Sequence, residues 1–263
     1  MLTIPSISLP LGPIAIIGRA ACKYSNNLPG IMAFVSSLSC SSKSNTCALC
    51  CKTTASLWDT YPLISLLEAL GHCLAYQLID SQWTSASLNN IIREALESDS
   101  QIIMNACLDL SASFERDAAC DKYLTPLLYY KGFQALQLQR VANWFWRNGR
   151  NEVAFFLQSR MTEVFHVDIH PGAKIGSGIM LDHATGLVIG ETSVIGNNVS
   201  VLHSVTLGGN GNKKGKRHPT IGDGVMISAG AKIIGNVSIG EGSKIGAGSL
   251  VLKSMPAHAT VVG

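Results

Sequence analysis

The sequence predicts an α+β chain, with an α-helical domain followed by a parallel β-helix of hexapeptide repeats. Three observations carry this reading. An aliphatic residue recurs every six positions over the last third of the chain, glycine often follows it, and the preceding hundred residues switch to helical periodicity. Ile221, Ile227, Ile233, Ile239, Ile245, Val251 and Ala257 stand six apart, as do Ile169, Ile175 and Leu181. Ile189, Ile195, Val201 and Leu207 resume the spacing after a two-residue slip. A period of six fits neither a helix nor simple strand alternation. It fits one flat side of a coil: three units close a turn, the aliphatic residues stack inward, and glycine takes the corners. A glycine-rich β-sandwich would not hold this register over seven units.

Taken in order, residues 1–56 read as a divergent leader, expected to be disordered. Pro5, Pro10, Gly12, Pro13, Pro29 and Gly30 interrupt its apolar stretches, and residues 36–44 are serine-rich. Residues 1–58 carry Arg19, Lys23, Lys43 and Lys52 and no acid, which leaves the rest at −1 out of a net +3. A basic, serine-rich, acid-free leader has the composition of an organelle transit peptide or of a disordered extension. Pro10 and Pro13 argue against a secretory signal. The expected location is cytoplasmic, or an organelle reached through the leader. No run has the length and purity of a membrane span. The charge distribution is not that of a nucleic-acid binder. All eight cysteines fall in the first 120 residues. Cys47, Cys50 and Cys51 have no second Cys or His pair at zinc spacing, so reduced thiols in an intracellular compartment are expected.

Residues 57–165 read as the helical domain. Ser87 is a candidate N-cap for a helix whose Leu88, Ile91, Ile92, Ala95 and Leu96 share one face. Ser100 could cap a second, carrying Ile103, Ala106 and Leu110. After Pro126 a long amphipathic pattern takes in Phe133, Leu136, Arg140, Val141 and Trp144. The cluster Trp144-Phe145-Trp146 reads as helix-packing core or subunit interface.

Residues 166–263 form the β-helix, and its informative features are two departures from the beat. Leu181-Asp182-His183-Ala184-Thr185-Gly186 spans the slip. Between Leu207 and Ile221 the spacing is fourteen, which ejects a loop with Lys213, Lys214, Lys216, Arg217 and His218 among glycines. Insertions in a solenoid land on its surface, where function usually sits. Acyl transfer needs a base for the nucleophile's proton and a carboxylate to orient that base. A cationic loop suits a phosphate-bearing cofactor, and it lacks the Gly-Lys-Ser/Thr of a nucleotide P-loop.

At these residues the chain resembles the serine O-acetyltransferases, over about residues 90–258. The resemblance rests on Asp121-Lys122-Tyr123, Thr125-Pro126-Leu127-Leu128, Tyr130-Lys131-Gly132-Phe133, Val167-Asp168-Ile169-His170-Pro171, Leu181 to Gly186, Thr206-Leu207-Gly208-Gly209 and Arg217-His218-Pro219. The leader before Leu57 does not match, and Ala118 stands where the family usually has proline.

The resemblance implies a left-handed β-helix and transfer of acetyl from acetyl-CoA to the L-serine hydroxyl, within cysteine biosynthesis, without a metal. It implies that His183 is the general base and that Asp168 orients its imidazole. Asp117 and Asp182 would receive the substrate amino group, and Arg217 and His218 the carboxylate. Gly209, Ala229 and Lys244 would meet the coenzyme A arm. It further implies L-cysteine as feedback inhibitor, and a homotrimer or dimer of trimers with sites between neighbours. Family members usually end in a tail that reaches a partner cysteine synthase. Because the sequence stops at Gly263, no stable complex with that partner is expected, and cysteine inhibition should be weaker.

Two rival functions share the solenoid. A hexapeptide acyltransferase acting on a sugar would lack the long helical domain. A γ-type carbonic anhydrase would use three histidines on zinc, for which His170, His183 and His203 can be nominated. His166, His170 and His203 otherwise read as structural.

Overall fold

The computed structural model describes residues 66–211 and 214–263. The leader assigned to 1–56, the Cys47–Cys51 cluster, the start of the helical domain and Lys213 lie outside the described residues. The helices are α1 (Leu66–Gln77), α2 (Ser85–Ser98), α3 (Ser100–Arg116), α4 (Leu124–Tyr129), α5 (Lys131–Arg147) and α6 (Asn151–Phe165). None of the helices in the described residues is long and apolar enough to cross a membrane.

The caps differ from those expected. Thr84, not Ser87, opens α2: its backbone is extended, and its Oγ1 accepts from Ser87 N at 3.3 Å. Asp99, not Ser100, opens α3, and it also closes α2. One extended residue separates the two helices, and its carboxylate accepts from Gln101 N at 3.1 Å, leaving Ser100 inside the helix. Pro126 sits in the first turn of α4, where a missing N–H costs no intrahelical bond.

The C-terminal half is a left-handed parallel β-helix of five coils. Sheet A runs β1 (Val167–Ile169), β4 (Leu187–Ile189), β7 (Thr206–Gly208), β10 (Lys232–Ile234), β13 (Leu250–Val251). Sheet B stacks β2 (Lys174–Ile175), β5 (Val194–Ile195), β8 (Thr220–Ile221) and β11 (Ser238–Ile239). Sheet C stacks β3 (Met180–Leu181), β6 (Ser200–Val201), β9 (Met226–Ile227), β12 (Lys244–Ile245) and β14 (Thr260–Val261). The six-residue beat is visible in the register: Ile169, Ile189, Leu207, Ile233 and Val251 pair in one inward column of sheet A, all buried.

The beat fails at its last unit. Ala257 is exposed in a corner, and Met255 instead bridges to Ile239, only four residues after Val251. Pro256, which cannot donate to a ladder, thereby falls outside the paired position, and Thr260–Val261 pairs with Lys244–Ile245 six residues on.

The helical domain seals the open first coil. Asp109 of α3 is fully buried and faces Arg140 of α5, 5% exposed, at 2.7 Å. Asp109 Oδ1 accepts from Ile179 N at 2.8 Å, while Arg140 Nη2 donates to Gly176 O at 2.7 Å. Gln139 and Asn143 donate to Ala173 O and Pro171 O. Backbone groups of the first coil, which have no preceding coil to pair with, are thus met by side chains from α3 and α5. Close approach matters here: a Cβ on Gly132 would stand 2.1 Å from Leu181 O.

Candidate active site

The slip between Leu181 and Ile189 builds the corner from sheet C to sheet A. Its extra residues fold on themselves, with Ala184 N donating to Asp182 O and Thr185 N to His183 O. His183 and Ala184 both take positive φ (56° and 58°), a conformation that costs a non-glycine residue about 1–3 kcal/mol and collects at functional sites. Ala184 is buried, and the His183 side chain is thrown outward, 73% exposed, its Nε2 3.6 Å from Asp182 Oδ1. The His203 ring, on the same corner one coil on, stands edge-on to it at 5.8 Å.

The helical domain brings Asp117 to this side. Lys131, at the start of α5, donates to Thr185 Oγ1, and Gly132 abuts Leu181. The preceding Tyr130 has its hydroxyl within hydrogen-bonding reach of the Asp117 carboxylate, and burial and that charge push the phenol well above its ordinary range. Asp117 caps the C-terminus of α3, and its Oδ1 accepts from Ala119 N at 2.8 Å. Arg116 next to it anchors the segment on Asn198 and Ser200 of the second coil.

Arg217 and His218 lie elsewhere, where the loop between Leu207 and Ile221 returns to the solenoid at the corner from sheet A to sheet B. Arg217 Nη2 donates to Glu191 Oε2 at 2.5 Å, which holds the Glu191 carboxyl below the usual range. His218, 8% exposed, packs over Gly190, where a Cβ would sit 2.0 Å from its Nε2. Burial and the Arg217 charge lower the His218 pKa. His170 shares this corner, and burial lowers its pKa too. Among the described residues, no hydrogen bond or ion pair joins the two corners.

Asp168 lies between them, outward on the middle of β1. Its Oδ1 accepts from Gln158 Nε2 at 2.7 Å, it makes no hydrogen bond to His183, and its charge acts on His170. The coenzyme candidates also divide. Gly209 follows β7 at the second corner, its Cβ position 3.1 Å from His218 Nε2. Ala229 lies on the sheet C to sheet A corner between β9 and β10, its carbonyl accepting from Gly248 N. Lys244 opens β12, exposed. The three nominated histidines do not converge: His170 Nδ1 accepts from Gly172 N, and its ring packs on Trp146 and Phe155. No group of three His, Cys, Asp or Glu among the described residues is placed to hold a metal.

Sequence reasoning missed Tyr130 and Lys131 as neighbours of the histidine corner, and Glu191 and Thr192 beneath the loop. Glu191 and Thr192 occupy the same corner as the insertion, one coil earlier. That position was readable from the six-residue count.

Residues 63–138 match the family profile described as serine acetyltransferase, N-terminal, and residues 218–253 match the bacterial transferase hexapeptide profile of six repeats. The serine acetyltransferase of Escherichia coli K12 is 53% identical over 199 residues, 76% of this chain and 73% of its own. The chain belongs to the serine acetyltransferase family. Solved members agree with the fold. A Neisseria gonorrhoeae serine acetyltransferase in complex with serine superposes with a TM-score of 0.74 at 50% identity, covering 81% of this chain and 88% of that one. A Brucella abortus serine acetyltransferase in complex with coenzyme A gives 0.75 at 45%, covering 82% and 84%.

Proposed function

We infer that this chain is a serine O-acetyltransferase, an acyltransferase that moves the acetyl group of acetyl-CoA to the hydroxyl of L-serine, releasing coenzyme A and O-acetylserine for cysteine biosynthesis. The observation that carries the reading is the strained Asp182-His183 corner in a chain of this family. His183 takes the proton of the serine hydroxyl as its oxygen attacks the thioester carbonyl, and returns it to the departing thiolate. Asp168 orients the imidazole once it turns from Gln158. Asp117 and Asp182 receive the substrate ammonium, and Arg217 and His218 the carboxylate. Gly209, Ala229 and Lys244 meet the coenzyme.

The two corners complete one site when chains associate: the histidine corner of one copy faces the arginine corner of the next, in a homotrimer or a dimer of trimers. L-Cysteine, with the same ammonium and carboxylate handles, competes for that site as feedback inhibitor. The test is a thiol-release assay with acetyl-CoA and a panel of hydroxyl acceptors. Release that requires L-serine supports the reading; release with a sugar acceptor and none with serine overturns it.

A further inference from the structure

Thr192 is the most heavily engaged side chain near the substrate-binding loop. Its Oγ1 accepts from Arg217 N at 3.0 Å and from His218 N at 3.1 Å, and lies 2.9 Å from His218 Nδ1. Its own N–H donates to the same Nδ1 at 3.2 Å, and its carbonyl accepts from Lys216 Nζ at 2.6 Å. A threonine hydroxyl has one proton and two acceptor lone pairs. Both lone pairs here serve backbone N–H groups, so the proton is left for Nδ1. Two donors on Nδ1 make that nitrogen the acceptor, and a neutral imidazole then carries its proton on Nε2. None of the hydrogen bonds among the described residues uses that Nε2, which is wedged between Gly190 and Gly209.

We propose that Thr192 is a positioning residue for serine binding: it locks His218 in the neutral tautomer whose Nε2–H is free to donate to the substrate carboxylate, and seats Arg217 beside it. The proposal rests on the reading of Arg217 and His218 as the carboxylate-binding pair. The charged and titratable groups facing His218 are Arg217, Glu191, Lys216 and His170. Of these, Glu191 is already engaged by Arg217, so its charge does not draw a proton onto His218 unopposed.

The test has two arms on the full chain. Selective ¹⁵N-histidine labelling, assigned with His218→Gln, reads the tautomer of the unaltered protein; Nδ1 unprotonated and Nε2 protonated from pH 6.5 to 8.5 is expected. A protonated Nδ1 overturns the proposal whatever the kinetics. In the second arm, Thr192→Val should raise the KM for serine about tenfold, the size of one or two lost positioning hydrogen bonds. The KM for acetyl-CoA and kcat should change less than about threefold. Thr192→Ser, which keeps the hydroxyl, should restore serine binding to within about twofold. If Arg217→Ala raises the serine KM and Thr192→Val does not, the proposal falls alone. If neither raises it, the carboxylate assignment falls, and the proposal with it.

Discussion

Replacing Asp109 with alanine should cost this chain a large share of its stability without touching any residue assigned to the chemistry. The carboxylate is fully buried and accepts from Arg140 Nη2 (2.7 Å), Arg140 Nε (3.1 Å), Gln137 Nε2 (2.9 Å) and Ile179 N (2.8 Å). Its removal leaves Arg140 buried with a charge and only the carbonyls of Ile175 and Gly176 as partners, and leaves Ile179 N–H with none. Breaking one side of a buried pair costs about 3–5 kcal/mol. An orphaned buried N–H costs about 1–3 kcal/mol, but the two losses share one network and do not add fully. The expected total is about 4 kcal/mol for Asp109→Ala, and a similar loss for Asp109→Asn, whose single amide oxygen can serve either Ile179 N–H or the Arg140 and Gln137 donors while its NH2 faces the other set. Urea unfolding followed by tryptophan fluorescence, at one fixed protein concentration, measures both. A destabilisation below about 1 kcal/mol for Asp109→Ala would refute the view that this pair seats the helical domain on the first coil.

Four further outcomes follow from the same geometry. His183→Ala should lower turnover by about 10²–10⁴, the worth of a positioned base, with the unfolding midpoint unchanged; a variant keeping over half of parental activity would remove His183 from the chemistry. Arg217→Ala should raise the KM for serine more than that for acetyl-CoA, and equal effects would point to a general role of the loop. Gly132→Ala should lower stability by about 1–3 kcal/mol through the clash with Leu181 O, read as a fall in Tm; an unchanged Tm would show that α5 can shift off the first coil. The Glu191 carboxyl is held low by the Arg217 hydrogen bond, so the pair's contribution is present above the ordinary glutamate range near about pH 4.3 and is lost as pH falls through the lowered value. Hydrogen exchange at the Arg217 amide, corrected for intrinsic rate, should therefore lose protection on acidification in the parent chain. Glu191→Gln should show the lower protection at every pH, and matching profiles would contradict the pairing.

The solenoid was legible because its period is written in single residues: Ile189, Ile195 and Val201 pair where the count of six puts them. The count failed at Ala257, where Pro256 has no N–H for the ladder and Met255 takes the paired place. Helix existence was readable from apolar spacing, but the caps Thr84 and Asp99 were not. Serine, threonine and aspartate all cap, and only the backbone decides which of several neighbours is extended. His183, Arg217 and His218 stood out because insertions interrupt the beat. Asp109 did not, since a polar residue in a helix reads as solvated until its buried partner is known. Nor could the count show that Asp168 turns to Gln158 rather than to His183, because that depends on a side chain from α6.

If each chain carries two half-sites that work only between copies, mixing two variants should restore activity. His183→Ala disables one corner and Arg217→Ala the other, so a mixed oligomer made by co-expression contains neighbours in which both intact corners meet. Differently tagged variants, purified through both tags, allow serine-dependent thiol release to be measured on the mixture alone, at a serine concentration well below the parental KM, where the loss from Arg217→Ala is fully expressed. Activity well above that of either variant is expected, approaching a fraction of the parent set by the share of intact junctions. A tagged mixed oligomer no more active than the Arg217→Ala homo-oligomer, at saturating acetyl-CoA and the same serine concentration, would contradict the half-site arrangement.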